Sequence, residues 1–195
     1  MRRLKKVLKI SSLILAPLSI AFILLIRVNY LDYERPIPFE RIDEITFENF
    51  RGLEFFKKSL YGNERFAYIV TTIETEFEKD SLTIQAYFHP SKSFVYKTNA
   101  HSPDLLSHEL YHFRITEIFA RTARQRITNL KNPSKKEIEL IVNNTWLEER
   151  EYQQKYDYDT FHSYVYGEQK KYENTIDSLL HLLEKFEDPK VKLNE

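Results

Sequence analysis

From Phe66 to Phe88 the chain reads FAYIVTTIETEFEKDSLTIQAYF, with apolar and polar residues alternating on either side of Glu-Lys-Asp-Ser. A period of two puts every second side chain on one face, so the spacing predicts a β-hairpin with Ile73 and Phe77 opposed to Leu82, Ile84 and Ala86. Beyond it the period lengthens. Ser102, Pro103 and Asp104 are helix-start residues, apolar positions then recur at helical spacing as far as Leu130, and Asn132-Pro133 ends the segment. A second helix is predicted from near Ser134 past Trp146 towards Gln154. A third is predicted from about Thr160 to Phe186, with Val165, Tyr172, Ile176, Leu179 and Leu183 as its buried stripe. Strands followed by helices, without internal repeats, indicate an α+β domain in which a small antiparallel sheet packs on three helices.

The amino end has a different pattern. Arg2, Arg3, Lys5, Lys6 and Lys9 precede the 17 uncharged residues from Ile10 to Ile26. As a helix this run is roughly 25 Å long. Extended by Val28 and a snorkelling Arg27, it predicts a transmembrane anchor over 10–28 behind a cytoplasmic basic segment 1–9. The remainder would then lie outside the cell membrane. A cleaved signal peptide, with Ser19-Ile20-Ala21 before the cut, is the competing expectation and would give a secreted or periplasmic protein. Residues 29–44, with Pro36 and Pro38 among charges, read as a linker. Residues 45–188 read as the globular domain and 189–195 as a tail.

Composition narrows the chemistry. The 195 residues, 42% apolar and 30% charged, suffice for one packed core. A formal net charge of zero lacks the basic footprint of a nucleic-acid-binding protein. Cysteine is absent, which removes disulfides, thiolate metal sites, a cysteine nucleophile and a lipoprotein. Any metal must be held by His, Asp or Glu.

The first of the three helices contains His108-Glu109-Leu110-Tyr111-His112, an H-E-x-x-H motif. Spacing i, i+4 sets the two imidazoles about 40° apart on one helical face, where both can reach one ion, with Glu109 about 100° from His108. In that arrangement a glutamate acts as general base on a zinc-bound water. The face continues through Leu105, Ile115 and Phe119, so the histidines lie on the apolar side, where an imidazole needs a partner. A solvated surface pair is the plainer alternative.

The longer signature H-E-x-x-H-x-x-G-x-x-H is absent, because Ile115 and Ile118 stand at its glycine and third histidine. Glu117 is turned about 180° from His108 and is expected either to support a ligand from behind or to be structural. The third ligand must come from another helix, and Glu148, Glu149, Asp157, Asp159, His162, Glu168 and His181 are the candidates. A Thr160 cap would put His162 in the first turn of the third helix, whereas His181, about five turns further, is expected at the surface. His89 and His101 fall in loop-like stretches. Asp157 and Asp159 either orient an imidazole or break and cap helices. Tyr158, Tyr164 and Tyr166 are near enough in sequence to donate to a tetrahedral oxyanion.

Three stretches together resemble a known family. LLSHELYHFRITEIFAR, then YDYDTFHS some 40 residues later, and ITFENFRG upstream are similar to the motifs of the bacterial predicted secreted zinc-dependent proteases, domain of unknown function 922. In the family these read L-L-x-H-E-x-x-H-F-x-I-x-E, Y-D-x-x-T-x-H-G and I-T-W-x-D-F-x-G. The resemblance runs from about Ile45 to Leu183. It departs at Phe47, Asn49 and Ser163, where the family has Trp, Asp and Gly. It implies a zincin-like fold, Zn2+ held by His108, His112 and His162, Glu109 as catalytic base, and a peptide or protein substrate. An extended peptide lying along an edge strand of the hairpin region would present its carbonyl to the metal. A non-catalytic protein with a structural zinc site, or with an interaction role alone, is the rival expectation.

Overall fold

The structure, a computed structural model, describes residues 2–27, 34–52, 67–95 and 102–193. The chain divides into two units, Met1–Tyr33 and Glu34–Glu195. The first contains helix α1 (Arg2–Arg27), with Pro17 inside it. Among the described residues no helix is long and apolar enough to cross a membrane. This overturns the transmembrane anchor expected over 10–28, and with it the single-pass membrane placement. The reason is length. The uncharged run from Ile10 to Ile26 spans about 25 Å against a hydrocarbon core of about 30 Å, and Lys9 and Arg27 close it at both ends.

The second unit is α+β, built around the expected hairpin. Strands β3 (Thr71–Phe77) and β4 (Ser81–Phe88) pair antiparallel, with Ile73 opposite Ala86 and Phe77 opposite Leu82, while Ile84 faces Thr75. Leu82, Ile84, Ala86 and Phe88 of β4 are all buried. Strand β1 (Ile37–Pro38) pairs with the carboxyl end of β4, and β6 (Lys190–Lys192) with its amino end. Stretches that read as linker and tail therefore complete the sheet. Two- and three-residue strands are too short to display a period of two, and their partner is remote in sequence. Strands β2 (Ala67–Tyr68) and β5 (Phe94–Val95) form a second, two-stranded sheet. Beside it, Gly52 N donates to Ser93 O at 2.6 Å. A Cβ at Gly52 would stand 2.6 Å from that oxygen, so the approach requires glycine.

Helix α2 (Pro103–Thr128) begins as its sequence predicts, with the Ser102 hydroxyl accepting from Leu105 N at 3.1 Å. Helix α3 (Lys135–Thr160) starts with a Ser134–Glu137 capping box. Here expectation and structure part. α3 continues past Gln154 to Thr160, and α4 covers Tyr166–Leu182. Thr160 closes one helix instead of opening the next, and its hydroxyl donates to Tyr156 O at 2.6 Å. Phe161, His162 and Ser163 follow with φ of 45°, 51° and 76°, three consecutive left-handed residues without a glycine. Such a turn is unfavourable by roughly 1 kcal/mol or more per residue and leaves no glycine signal to mark the helix end.

α2 is the central element. One of its faces contributes Phe113, Ala120 and Ile127 to a core with Ile84 and Phe88 of the sheet. Another places Ile115 and Ile118 against Tyr156 of α3 and Ile176 of α4. Glu117, expected behind a ligand or in a structural role, is buried in ion pairs with Arg121 and Arg124, each at 2.9 Å. Arg124 also donates to Ile84 O, Phe186 O and Glu187 O, tying α2 to β4 and to the chain before β6.

Candidate metal site

His108 and His112 lie one turn apart on the buried side of α2, with Nε2 atoms 3.3 Å from each other. Asp157, in the last turn of α3, brings Oδ1 to 2.9 Å from His112 Nε2 and 3.4 Å from His108 Nε2. Ligand atoms of these three residues all lie within 4.8 Å of one another, and the group can hold a metal ion. A tetrahedral ion with bonds of about 2.0–2.1 Å sets its donors about 3.3 Å apart, so the three separations match one face of such a tetrahedron. The donor chemistry fits as well. Two buried imidazole nitrogens and one carboxylate oxygen converge on one point, and a bound cation would engage a lone pair of each at once.

His162 reaches the site from the left-handed turn and not from a helix. Its Nδ1 lies 3.0 Å from Asp157 Oδ1, and it stands outside the group of three. Asp157, one of the ligand candidates of the sequence and also read there as an orienting or capping residue, is the carboxylate closest to both imidazoles. The other candidates are placed elsewhere. Glu148 pairs with Arg126 at 2.8 Å, Asp159 with Lys155, Glu168 with Lys171 at 2.7 Å, and exposed His181 with Glu184 at 3.4 Å. His89 is buried against Thr72, with Nε2 2.8 Å from Oγ1. His101 falls outside the described residues. Tyr158, Tyr164 and Tyr166 are exposed. Sequence reading missed Tyr156, whose buried ring stacks on His108 with centroids 4.7 Å apart and an 18° interplanar angle. Its signal was available: Tyr156 precedes Asp157 and follows the helical spacing of α3 through Tyr152.

The comparisons with known proteins come out empty. No family model matches the chain, and no curated protein and no solved structure matches it.

Glu109 is buried next to the donors, and its Oε2 accepts from Ile69 N at 2.8 Å. That bond fastens α2 to the segment between β2 and β3. Ile69, Glu109, His112, Arg150, Asp157 and His162 line one cleft of about 470 Å3. Burial pushes the Glu109 carboxyl up to about 7, against the pull of His112. Burial likewise holds His108 down to about 4, partly offset by its hydrogen bond to Asp157. For His112 burial is outweighed by the attraction and hydrogen bond of Asp157, with help from Glu109 and Gln153, and its pKa rises to about 9. Burial opposes ionisation of Asp157, but the charge of His112 and the hydrogen bonds from His108, His112 and His162 keep its carboxyl far below the usual range.

Proposed function

We propose that the domain is a zinc-dependent peptidase in which His108, His112 and Asp157 hold Zn2+ and Glu109 is the general base. The observation that carries this reading is the convergence of His108 Nε2, His112 Nε2 and Asp157 Oδ1 beside a buried glutamate in an open cleft. Two imidazoles and a carboxylate form a donor set used by catalytic zinc, and when bound the ion supplies a Lewis acid that brings the pKa of water to about 7. Glu109, pushed up to about 7, is matched to taking a proton near neutral pH and returning it to a leaving amine. The Ile69 amide holds Oε2, which leaves Oε1 for that transfer. Ala67 to Thr71 form one wall of the cleft, and an extended peptide laid beside them is the substrate we assign.

One observation favours a second reading. The 3.0 Å between His162 Nδ1 and Asp157 Oδ1 allows His162 to supply a fourth donor, and a site closed by four side chains is structural. Metal analysis of the purified chain, followed by assay of Glu109→Gln on a broad peptide library, separates the readings. The peptidase reading expects one zinc in both proteins and hydrolysis only in the parent. A parent that holds zinc and cleaves nothing supports the closed site, and less than half an equivalent of zinc overturns both.

A further inference from the structure

We infer that Gln153 is a positioning residue for the metal site, fixing the tautomer and the angle at which His112 presents Nε2; this rests on the metal-site reading above. Two polar stripes run against each other where α2 crosses α3. On α2 they are His108, His112 and Thr116, and on α3, in the opposite direction, Asp157, Gln153 and Glu149, all at steps of four residues. Each rung is bonded: His108 to Asp157 at 3.4 Å, His112 Nδ1 to Gln153 Oε1, and the Thr116 hydroxyl to Glu149 Oε1 at 3.0 Å.

The orientation of the Gln153 amide follows from its other bonds. Its Nε2 faces three acceptors, His112 O at 2.9 Å, Glu149 Oε1 at 2.8 Å and Thr116 Oγ1 at 3.2 Å. The oxygen therefore points at the imidazole and can only accept, so His112 Nδ1 carries hydrogen and the lone pair is left on Nε2, facing the ion. The two outer members hold the amide in turn. Glu149 accepts from both Gln153 and Thr116, and Thr116 Oγ1 meets Thr71 Oγ1 of β3 at 2.7 Å. The ladder thus runs from Thr71, the β3 residue at the end of the cleft wall, through two helices, to a metal ligand. A free glutamine on the last turns of a surface helix would cover no such set of acceptors.

Zn2+ affinity of the full chain, measured by competition with a chelator, tests this. Gln153→Leu removes the acceptor, and its affinity is expected to fall roughly 10- to 100-fold. Gln153→Glu keeps an acceptor for Nδ1–H while losing every donor of the amide, and is expected to lose about three- to tenfold, less than Gln153→Leu. A Gln153→Leu protein within twofold of the parent overturns the inference, and so does a Gln153→Glu protein as weak as Gln153→Leu, because the donor side alone would then matter. If Gln153→Leu does not fold, Thr116→Val, which removes one brace of the amide and a hydrogen bond to the His112 carbonyl but no group from the His112 ring, is expected to lose about three- to tenfold, and an unchanged affinity overturns the inference. A parent chain that binds no zinc sinks the metal-site reading itself, whereas a zinc-binding parent with an indifferent Gln153 sinks only this step.

Discussion

Asp157 Oδ1 lies 2.9 Å from His112 Nε2 although 45 positions separate the two residues in the chain. The contact closes the triangle with His108, and it makes the end of α3 as much a part of the candidate site as the H-E-x-x-H turn of α2. Asp157→Ala is therefore expected to weaken Zn2+ binding on the order of 100-fold or more, as loss of a ligand does. His162→Ala, removing a side chain that touches Asp157 from outside the triangle, is expected to lose about tenfold or less. Chelator competition on the two proteins checks both, and equal losses would put His162 among the donors.

Metal binding should strengthen with pH. In the metal-free protein His112 is held up at about 9 and must give up its proton to ligate, whereas His108, down at about 4, is already neutral and Asp157 is already ionised. Between pH 6 and 8 His112 gives up one proton for each ion bound, joined towards pH 6 by the proton of Glu109, so log K should rise by at least about one per pH unit. Titration calorimetry in buffers of different ionisation enthalpy measures that proton directly, and a pH-independent affinity would contradict it.

Glu109 must be ionised to accept a proton. Its carboxyl is pushed up to about 7 by burial, so kcat/KM for peptide hydrolysis should fall tenfold per pH unit on the acid side of its pKa. A bound cation lowers that pKa further, placing the acid limb at or below pH 7 in the zinc form. Glu109→Gln should abolish the limb together with the activity.

The buried pair Glu117–Arg124 predicts a stability defect. The two side chains are 2% and 1% exposed, and Arg124 bonds three carbonyls besides the carboxylate. Glu117→Ala leaves a buried guanidinium without its counter-charge and should lower unfolding stability by about 3–5 kcal/mol. Urea unfolding of the metal-free protein measures it, and a loss below about 1 kcal/mol would show the pair to be dispensable.

Gly52→Ala should also destabilise, by about 1–3 kcal/mol, because the new methyl would meet the Ser93 carbonyl oxygen 2.6 Å away and neither backbone segment can retreat without breaking their hydrogen bond. The midpoint of thermal unfolding reads the effect.

What the sequence by itself determined is local. The hairpin of β3 and β4, the Ser102 start of α2, the Ser134 start of α3 and the pairing of His108 with His112 on one face all follow from periods and caps, which act over a few residues. The turning of Glu117 away from His108 follows from the same helical geometry, whereas its burial against Arg121 and Arg124 does not. The membrane anchor failed at the same scale, because the count of uncharged residues was itself too short. Tertiary structure decided the rest. Strands β1 and β6 exist because β4 had one open edge to pair with, and the left-handed turn at Phe161–Ser163 is held where no glycine announced it. Asp157 became the nearest carboxylate because α3 runs antiparallel past α2 in a register that sets steps of four on one helix against steps of four on the other. The stripes Glu149-Gln153-Asp157 and His108-His112-Thr116 are both visible in the sequence, but which rung meets which is fixed only when the two helices pack.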